Sequence, residues 1–163
     1  MDKEKAEVMP SAEEILMNEN DLLNGLLEAA NFKNDESCYK LVQIKRGEKI
    51  LFEFRIRPLE EEEIQQCRKR CTKMMPNPGG RHLPKIEGDV DYVKMRSWKI
   101  YTATVEEDRK KLWENNVIKQ RLNVLQGVDV IDACLMAGEK DAICDLIDDI
   151  SGYGVSREDY VKN

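Results

Sequence analysis

The sequence is poor in aromatic residues, has a single histidine and lacks long apolar runs. Aromatic residues make up 6% of the 163 residues, so the core has to be mainly aliphatic. No stretch approaches the roughly 18 consecutive apolar residues that a membrane-spanning helix needs. The first residues, MDKEKAEVMPSAEE, are charged, unlike the basic and then apolar order of a secretory signal. We therefore expect a cytosolic protein with no membrane contact.

Recognised catalytic and nucleotide-binding motifs are also missing. The segment PNPGGRHLPKIEGD, residues 76–89, is rich in proline and glycine but lacks the G-x-x-x-x-G-K-[ST] spacing of a phosphate-binding loop. His82 has no G-x-S-x-G partner, and the aspartates near residue 148 lack the glycine and terminal glutamate of a calcium loop. By elimination, the sequence favours a non-catalytic protein without a cofactor or a metal ion.

The two most closely spaced cysteines, Cys67 and Cys71, lie in the segment FEFRIRPLEEEEIQQCRKRCTKMM. The spacing predicts a helix from Pro58 to Pro76 on which both belong to one apolar stripe, together with Ile64 and Met74. Cβ atoms four residues apart on a helix are about 5–6 Å apart, too far for a disulfide. Core packing is therefore favoured. The alternative is a zinc site in which His82 adds a third ligand, although zinc needs a fourth.

Charged residues make up 36% of the sequence, and the net charge is −6. The segment from Asp129 to Ile150 contains seven acidic residues and one lysine, so it carries the whole net charge. A nucleic-acid interface needs clustered Lys and Arg instead, which makes nucleic acid an unlikely partner. Two interpretations of the acidic segment stay open: a solvated helix face, or a docking face for a basic partner.

The periodicity predicts an α+β fold, mostly α-helical, with one antiparallel β-hairpin over residues 39–57 packed on helices. Ile50, Phe52, Phe54 and Ile56 alternate with charged residues, as in a half-buried strand, and Gly47 marks the turn. Ser11 and Glu14 form the capping box of a leucine-rich N-terminal helix. We expect a single domain over residues 1–163, with a disordered tail over 1–10 and a loop over 76–89.

Further helices are expected in the second half of the chain. The pattern predicts helices over residues 92–104, from Glu106 to Leu125 without a break, from Asp129 to Gly138, and from Asp141 to Gly152. The first contains YVKMRSWKIY, which interleaves basic and aromatic residues as single-strand binders do. The same spacing suits an amphipathic helix whose Lys and Arg side chains reach solvent.

Three parts of the sequence carry a resemblance to a known family. They are a strand ending in FRIRPL with an acidic-to-basic helix directly after it, the segment GVDVIDACLMAGEKDAI, and the closing ISGYG. In this order, after a leucine-rich helix, the sequence resembles the XkdN-like tail assembly chaperones of tailed phages and prophages. The continuous helix expected after TATV departs from the proline-containing stretch common in that family.

The resemblance implies a small protein of the host cytoplasm that is absent from the finished virion. Such chaperones are thought to bind the tape measure protein and keep it soluble while tail tube subunits polymerise around it. The tail tube protein is a second candidate partner, and self-association is left open. Aromatic residues and Met are favoured at adaptable contacts, so the candidate protein-binding residues are Tyr92, Met95, Trp98, Tyr101 and Trp113. The plain alternative is that these side chains complete the core.

A different class of function stays open as the main alternative. The basic and aromatic segment over residues 92–111 would serve an adaptor or a nucleic-acid-associated regulator, whose affinity falls steeply with salt. A metal-dependent enzyme built on Cys67, Cys71 and His82 is the third possibility. It requires stoichiometric zinc in the purified protein.

Overall fold

A computed structural model describes residues 11–155 and 157–161 of the chain. The chain forms two compact units, Met1–Asp35 and Glu36–Asn163. The predicted disordered tail over residues 1–10 and the side chains of Ile15 and Leu16 lie outside the described part. The expectation of one domain over the whole chain stays a prediction.

The described part of the first unit is one long helix, α1 (Ala12–Phe32). Ser11 and Glu14 form the predicted capping box: the Glu14 N–H donates to Ser11 Oγ at 3.2 Å, and the Ser11 N–H donates to the Glu14 carboxylate at 2.9 Å. The helix runs without interruption over its 21 residues. All of its described side chains are exposed.

The second unit is mostly helical with two small antiparallel sheets, so the α+β prediction is confirmed. The first sheet is the predicted hairpin of β1 (Lys40–Arg46) and β2 (Lys49–Ile56), with Gly47 at a φ of 66° in the turn. The other α-helices in the described residues are α2 (Glu61–Arg70), α3 (Tyr92–Ala103), α4 (Glu106–Lys111), α5 (Asn116–Leu122), α6 (Gly127–Cys134) and α7 (Ala137–Asp148). Two short 3-10 helices, Glu36–Cys38 and Arg157–Tyr160, and a π-helical turn, Asp149–Tyr153, complete the helical part.

The core lies between the inner face of the hairpin, α3, α6 and α7. Phe54 and Ile56 from β2 pack with Ile100 from α3, Ile131 from α6 and Ile147 from α7, all of them almost fully buried. The alternation predicted for β2 is confirmed for Phe54 and Ile56 in the core and for Phe52, which packs partly buried against it, whereas Ile50 is 48% exposed. Ile56 also bridges to Thr104, which joins the hairpin to the end of α3.

The helix after Pro58 is shorter than predicted. It ends at Arg70 instead of Pro76, and residues 72–75 form β3 (Thr72–Met75), which pairs with β4 (Ile86–Val90). Pairing with a strand on the far side of a ten-residue loop outweighs the helix propensity of Lys73 and the two methionines. Met74 is consequently 51% exposed and does not belong to a helical stripe. The loop predicted over 76–89 is also shortened, because β4 begins at Ile86.

Four predicted helix boundaries are wrong in the second half of the chain. The continuous helix from Glu106 to Leu125 is split into α4 and α5, because Asn115 caps a new helix by accepting hydrogen bonds from the N–H groups of Val117 and Ile118. Helix α6 begins at Gly127 rather than at Asp129. Gly138 lies in the first turn of α7 instead of ending α6, and α7 therefore begins at Ala137 rather than at Asp141.

Candidate functional site

Helix α3 presents its basic side chains to the acidic segment of the chain. Arg96 pairs with Asp141, and Lys99 pairs with Asp148. Lys94 lies between Asp129 at 3.1 Å and Asp132 at 2.9 Å. The cations of the YVKMRSWKIY segment therefore bind carboxylates of α6 and α7.

Asp132 is the centre of this charge network. Its carboxylate accepts hydrogen bonds from Ser97, Lys94 and Lys140, and the Lys140 Nζ lies 2.6 Å from Asp132 Oδ1. Lys140 is only 7% exposed. Partial burial acts to raise the pKa of Asp132, but the donors from Lys140, Ser97 and Lys94 lower it overall. The group therefore stays ionised and neutralises a buried lysine.

This pairing changes both interpretations of the acidic segment. Five of its seven acidic residues have a cation within the chain: Asp129, Asp132, Glu139, Asp141 and Asp148. The segment is thus neither a plain solvated face nor a free docking face for a basic partner. The same ion pairs involve Lys94, Arg96 and Lys99. These three cations are therefore already paired within the chain and would have to give up a carboxylate to bind a nucleic-acid phosphate.

Helix α3 also carries two neighbouring aromatic side chains, Trp98 and Tyr101. The rings of Trp98 and Tyr101 meet edge to face, with 5.6 Å between their centroids. The Arg70 guanidinium lies over Trp98, 4.5 Å from the ring centroid, and that of Arg109 lies over Tyr101 at 5.0 Å. Two aromatic rings, each covered by a guanidinium, thus form a partly exposed surface.

Two clefts adjoin this aromatic pair, and both include Arg70, Trp98 and Tyr101. The larger, of about 380 Å³, lies towards the start of α6 and also contains Glu114, Lys119 and Leu125. The smaller, of about 200 Å³, lies towards α2 and also contains Gln66 and Thr102. We call them the aromatic clefts. Clefts that combine aromatic rings, one exposed leucine and a few charges fit protein side chains.

A hydrogen-bonded chain holds Tyr101 in place. Its hydroxyl donates to Glu114 Oε1 at 2.7 Å, and Lys119 Nζ lies 2.5 Å from the other carboxylate oxygen. The hydrogen bond from Lys119 lowers the pKa of Glu114, although partial burial opposes this. Burial and the neighbouring carboxylate raise the pKa of Tyr101, so the phenol stays protonated and remains a donor.

Gly127 permits the close approach of α6 to this chain. A Cβ atom at this position would lie 2.8 Å from the Tyr101 ring and 3.0 Å from the Trp113 carbonyl oxygen, and still closer to the Glu114 carboxylate. Contacts this short force neighbouring atoms to move. The larger aromatic cleft therefore depends on a residue without a side chain at the first position of α6.

The five predicted binding residues do not form one surface. Tyr92 is 69% exposed, and Met95 is partly buried like Trp98 and Tyr101. Trp113 is 1% exposed; it packs edge to face against Phe54, and its indole N–H donates to Thr104. In this conformation Trp113 offers no surface to a partner, as the core alternative expects. A role in binding stays a prediction for Tyr92, Met95, Trp98 and Tyr101.

No local pattern in the sequence singles out Arg70, Arg109 and Glu114. They come from α2, from α4 and from the turn after α4, and meet the aromatic pair only through tertiary contacts. The one local hint is the basic last turn of α2, although basic residues at that position also complement the helix dipole without any binding role.

The cysteines are thiols in the described structure, and Cys67 and Cys71 are buried core residues, as predicted. Cys67 Sγ lies 3.4 Å from Thr102 Oγ1. Burial raises the pKa of Cys71, and it raises that of Cys144 to about 11. Across residues 11–155 and 157–161, no group of three or more His, Cys, Asp and Glu side chains is arranged to hold a metal ion.

The fold and the clefts thus define an α+β protein with a surface suited to contacts with other chains. Comparison with family models matches residues 22–163 to the phage XkdN-like tail assembly chaperone protein family. The match covers most of the chain, so the chain belongs to this family, and the resemblance seen in the sequence is confirmed. Searches of curated proteins and of solved structures found no match. In the described part of the chain, no helix is long and apolar enough to cross a membrane.

Proposed function

We propose that this chain binds the tape measure protein of its phage and keeps it soluble in the host cytoplasm during tail assembly, without catalysing a reaction. Family membership supports a role in tail assembly. The choice of partner is our inference, because a chain that is long, helical and apolar needs a holding protein before the tube surrounds it. The tail tube protein is a second candidate partner.

The observation that carries this proposal is the aromatic surface on α3. Trp98 and Tyr101 are partly exposed beside two clefts, and Tyr92 is exposed at the start of the same helix. Apolar side chains of a client can enter the clefts, while the rim charges keep the complex in solution. Self-association through this surface would compete with client binding.

The test is co-expression of the tagged chain with the tape measure protein from the same genome, followed by pull-down at moderate salt. We expect the tape measure protein to become soluble and to co-purify. The variants Tyr92→Ala and Trp98→Ala should each lower the co-purified amount severalfold. Tyr160→Ala is the matched control, because Tyr160 and Tyr92 are 70% and 69% exposed.

The result that contradicts the proposal is a tape measure protein that stays insoluble and does not co-purify with the wild-type chain. Equal losses in Tyr92→Ala and Tyr160→Ala would show that the α3 surface has no special role. Retention of single-stranded nucleic acid that falls steeply with salt would favour the regulator instead.

A further inference from the structure

The aromatic clefts are locally positive, although the chain as a whole has a net charge of −6. Four cations and two carboxylates line them: Arg57, Arg70, Arg109, Lys119, Glu63 and Glu114. Glu63 pairs with Arg57, and Glu114 pairs with Lys119. These two pairs cancel, so the positive charges of Arg70 and Arg109 are left unbalanced at the clefts.

Of these two cations, Arg70 is the one available to a partner. Arg109 donates hydrogen bonds to three backbone carbonyl oxygens at the end of α3, which hold its guanidinium in place. Arg70 is exposed and lies over the Trp98 ring, and it has no carboxylate partner among the described residues. Its N–H donors are therefore left to the ring and to solvent, and they can meet an incoming anionic group.

An apolar surface lies directly beside Arg70. The larger aromatic cleft brings Trp98 and Tyr101 together with Leu125, which lies in the turn before α6 and is 91% exposed. A single exposed leucine is ordinary on a protein surface, but this one borders a cleft of about 380 Å³ with two aromatic rings. An apolar side chain that enters this cleft would cover Leu125 and would lie next to the Arg70 guanidinium.

The charge of the clefts selects among apolar partners. Unbalanced cations favour a carboxylate next to the entering side chain, and they disfavour Lys or Arg at that place. Arginine is also the cation best shaped to hold a carboxylate, because its planar fork can donate two parallel hydrogen bonds. The matching segment therefore combines an apolar side chain with an adjacent Asp or Glu.

A nucleic acid fits the same clefts less well. Arg70 lies over the Trp98 ring and Arg109 over the Tyr101 ring, so one face of each ring is already occupied by a guanidinium instead of being open to a base. Two unbalanced cations are also fewer than a strand needs along its phosphates. The clefts are thus better suited to a short acidic and apolar protein segment.

We propose that the aromatic clefts recognise a client segment whose apolar side chain enters the larger cleft while a neighbouring carboxylate pairs with Arg70. This inference rests on the proposed function, because it assigns the chemistry of the client segment bound at the same surface. It adds a selection rule: segments with Lys or Arg beside the apolar side chain are rejected.

The probe is a fluorescently labelled peptide of about five helical turns, with leucines at helical spacing and glutamates on both borders of the stripe. Its counterpart has lysines in place of the glutamates. In fluorescence anisotropy, the full chain should bind the glutamate peptide at least tenfold more tightly. Attraction by the net charge of −6 alone would give the opposite order. Equal affinities, tighter binding of the lysine peptide, or no binding of either peptide overturns the proposal.

The carboxylate contact is tested with Arg70→Glu, which should reverse the order of the two peptides. Arg68→Glu is the matched control, because Arg68 is also exposed in the last turn of α2 but does not line either aromatic cleft. It changes the net charge by the same amount and should leave the order unchanged. The proposal fails if Arg68→Glu reverses the order as well, or if Arg70→Glu does not.

The apolar contact is tested with Leu125→Gln, which should weaken binding of the glutamate peptide about fivefold or more. The exposure of Leu125 makes an unchanged thermal unfolding temperature the expected result for this variant. Leu146→Gln is the control, at a 42% exposed position of α7 outside the aromatic clefts. Unchanged affinity in Leu125→Gln, or an equal loss in both variants, would contradict entry of an apolar side chain into the larger cleft.

Two measurements test other occupants of the aromatic clefts. A labelled oligo-dT strand that binds the wild-type chain but not Arg70→Glu would assign the clefts to nucleic acid. A dimer in sedimentation analysis that Arg70→Glu dissociates would assign them to a second copy. Either result overturns the proposal, and we expect a monomer that does not bind the strand.

Co-expression with the tape measure protein separates this inference from the proposed function. If Arg70→Glu solubilises the tape measure protein as well as the wild type does, and the two peptides bind equally, the preference for acidic segments is wrong while the proposed function stands. If the glutamate peptide binds through Arg70 but the tape measure protein does not co-purify with the wild-type chain, the site stands and its natural partner is another protein.

Discussion

The indole N–H of Trp113 donates a hydrogen bond of 3.0 Å to the hydroxyl oxygen of Thr104, and both residues are almost fully buried. Thr104 in turn donates to the Ile100 carbonyl oxygen at 2.7 Å. The turn after α4 is thereby fixed to the end of α3, where β2 also makes its bridge through Ile56. The largest side chain of the core thus has its one polar atom satisfied.

Replacing Thr104 with Val should lower the free energy of unfolding by about 1–3 kcal/mol, because Val has a similar shape but leaves the buried indole N–H without an acceptor. Urea denaturation measures this loss. In a Trp113→Phe background the indole donor is already gone, so Thr104→Val should then cost much less. A cost that is the same in both backgrounds would show that the hydrogen bond does not contribute.

Asp132→Asn should destabilise the fold by about 2–3 kcal/mol, because it removes the charge that neutralises buried Lys140. The cost is kept below that of a fully buried pair because a third of the Asp132 side chain is exposed. Asp145→Asn, at an exposed position of α7, is the control. Adding Lys140→Met to Asp132→Asn should recover part of the loss in urea denaturation, and a further loss would count against the pairing.

Gly127→Ala should cost about 1–3 kcal/mol by overpacking, because the new methyl group meets the Tyr101 ring and the backbone of Trp113. It should also widen the larger aromatic cleft and alter the fluorescence of Trp98. Gly138→Ala is the control, since that Cβ meets no atom within 4 Å in the first turn of α7. This control should be neutral or gain up to about 1 kcal/mol from its helix propensity.

Protonation of Glu114 should lower the stability of the fold in acid. Its pKa is lowered in the folded chain from an ordinary value of 4.5, chiefly by Lys119. A group whose pKa is lower in the folded state stabilises above its unfolded pKa, and this contribution is lost as the pH falls through the folded pKa. The decline in unfolding free energy below about pH 4.5 should therefore be shallower for Glu114→Gln. An identical decline would contradict the role of the ion pair.

The hairpin could be predicted because its signals are local: alternation along β2 and a glycine turn that brings adjacent strands together. The pairing of β3 with β4 could not, because it joins segments on either side of a loop and contains a register shift between Thr72 and Met74. The break between α4 and α5 depends on Asn115, whose capping role competes with a helix propensity that the rest of the segment favours.

The candidate site was predictable only in part. The three-residue spacing of Met95, Trp98 and Tyr101 placed them on one side of α3, and the structure confirms that they are all partly buried there. The sequence does not indicate which side of α3 faces the acidic helices, because the ion pairs of Lys94, Arg96 and Lys99 join residues that are 35 to 49 positions apart. Trp113 shows the limit of reasoning from side-chain size, since a large aromatic is as well suited to a core as to an interface.

The long separation of these ion pairs has a consequence for synthesis on the ribosome. The hairpin can form as soon as residue 56 has emerged, because its contacts are close along the chain. Helix α3 is made next, but its basic side has no carboxylates to meet until α6 and α7 follow, and its apolar side lacks Ile131 and Ile147 until then. This member of the tail assembly chaperone family therefore passes through a stage of its own synthesis at which the apolar side of its central helix, α3, is still exposed to solvent.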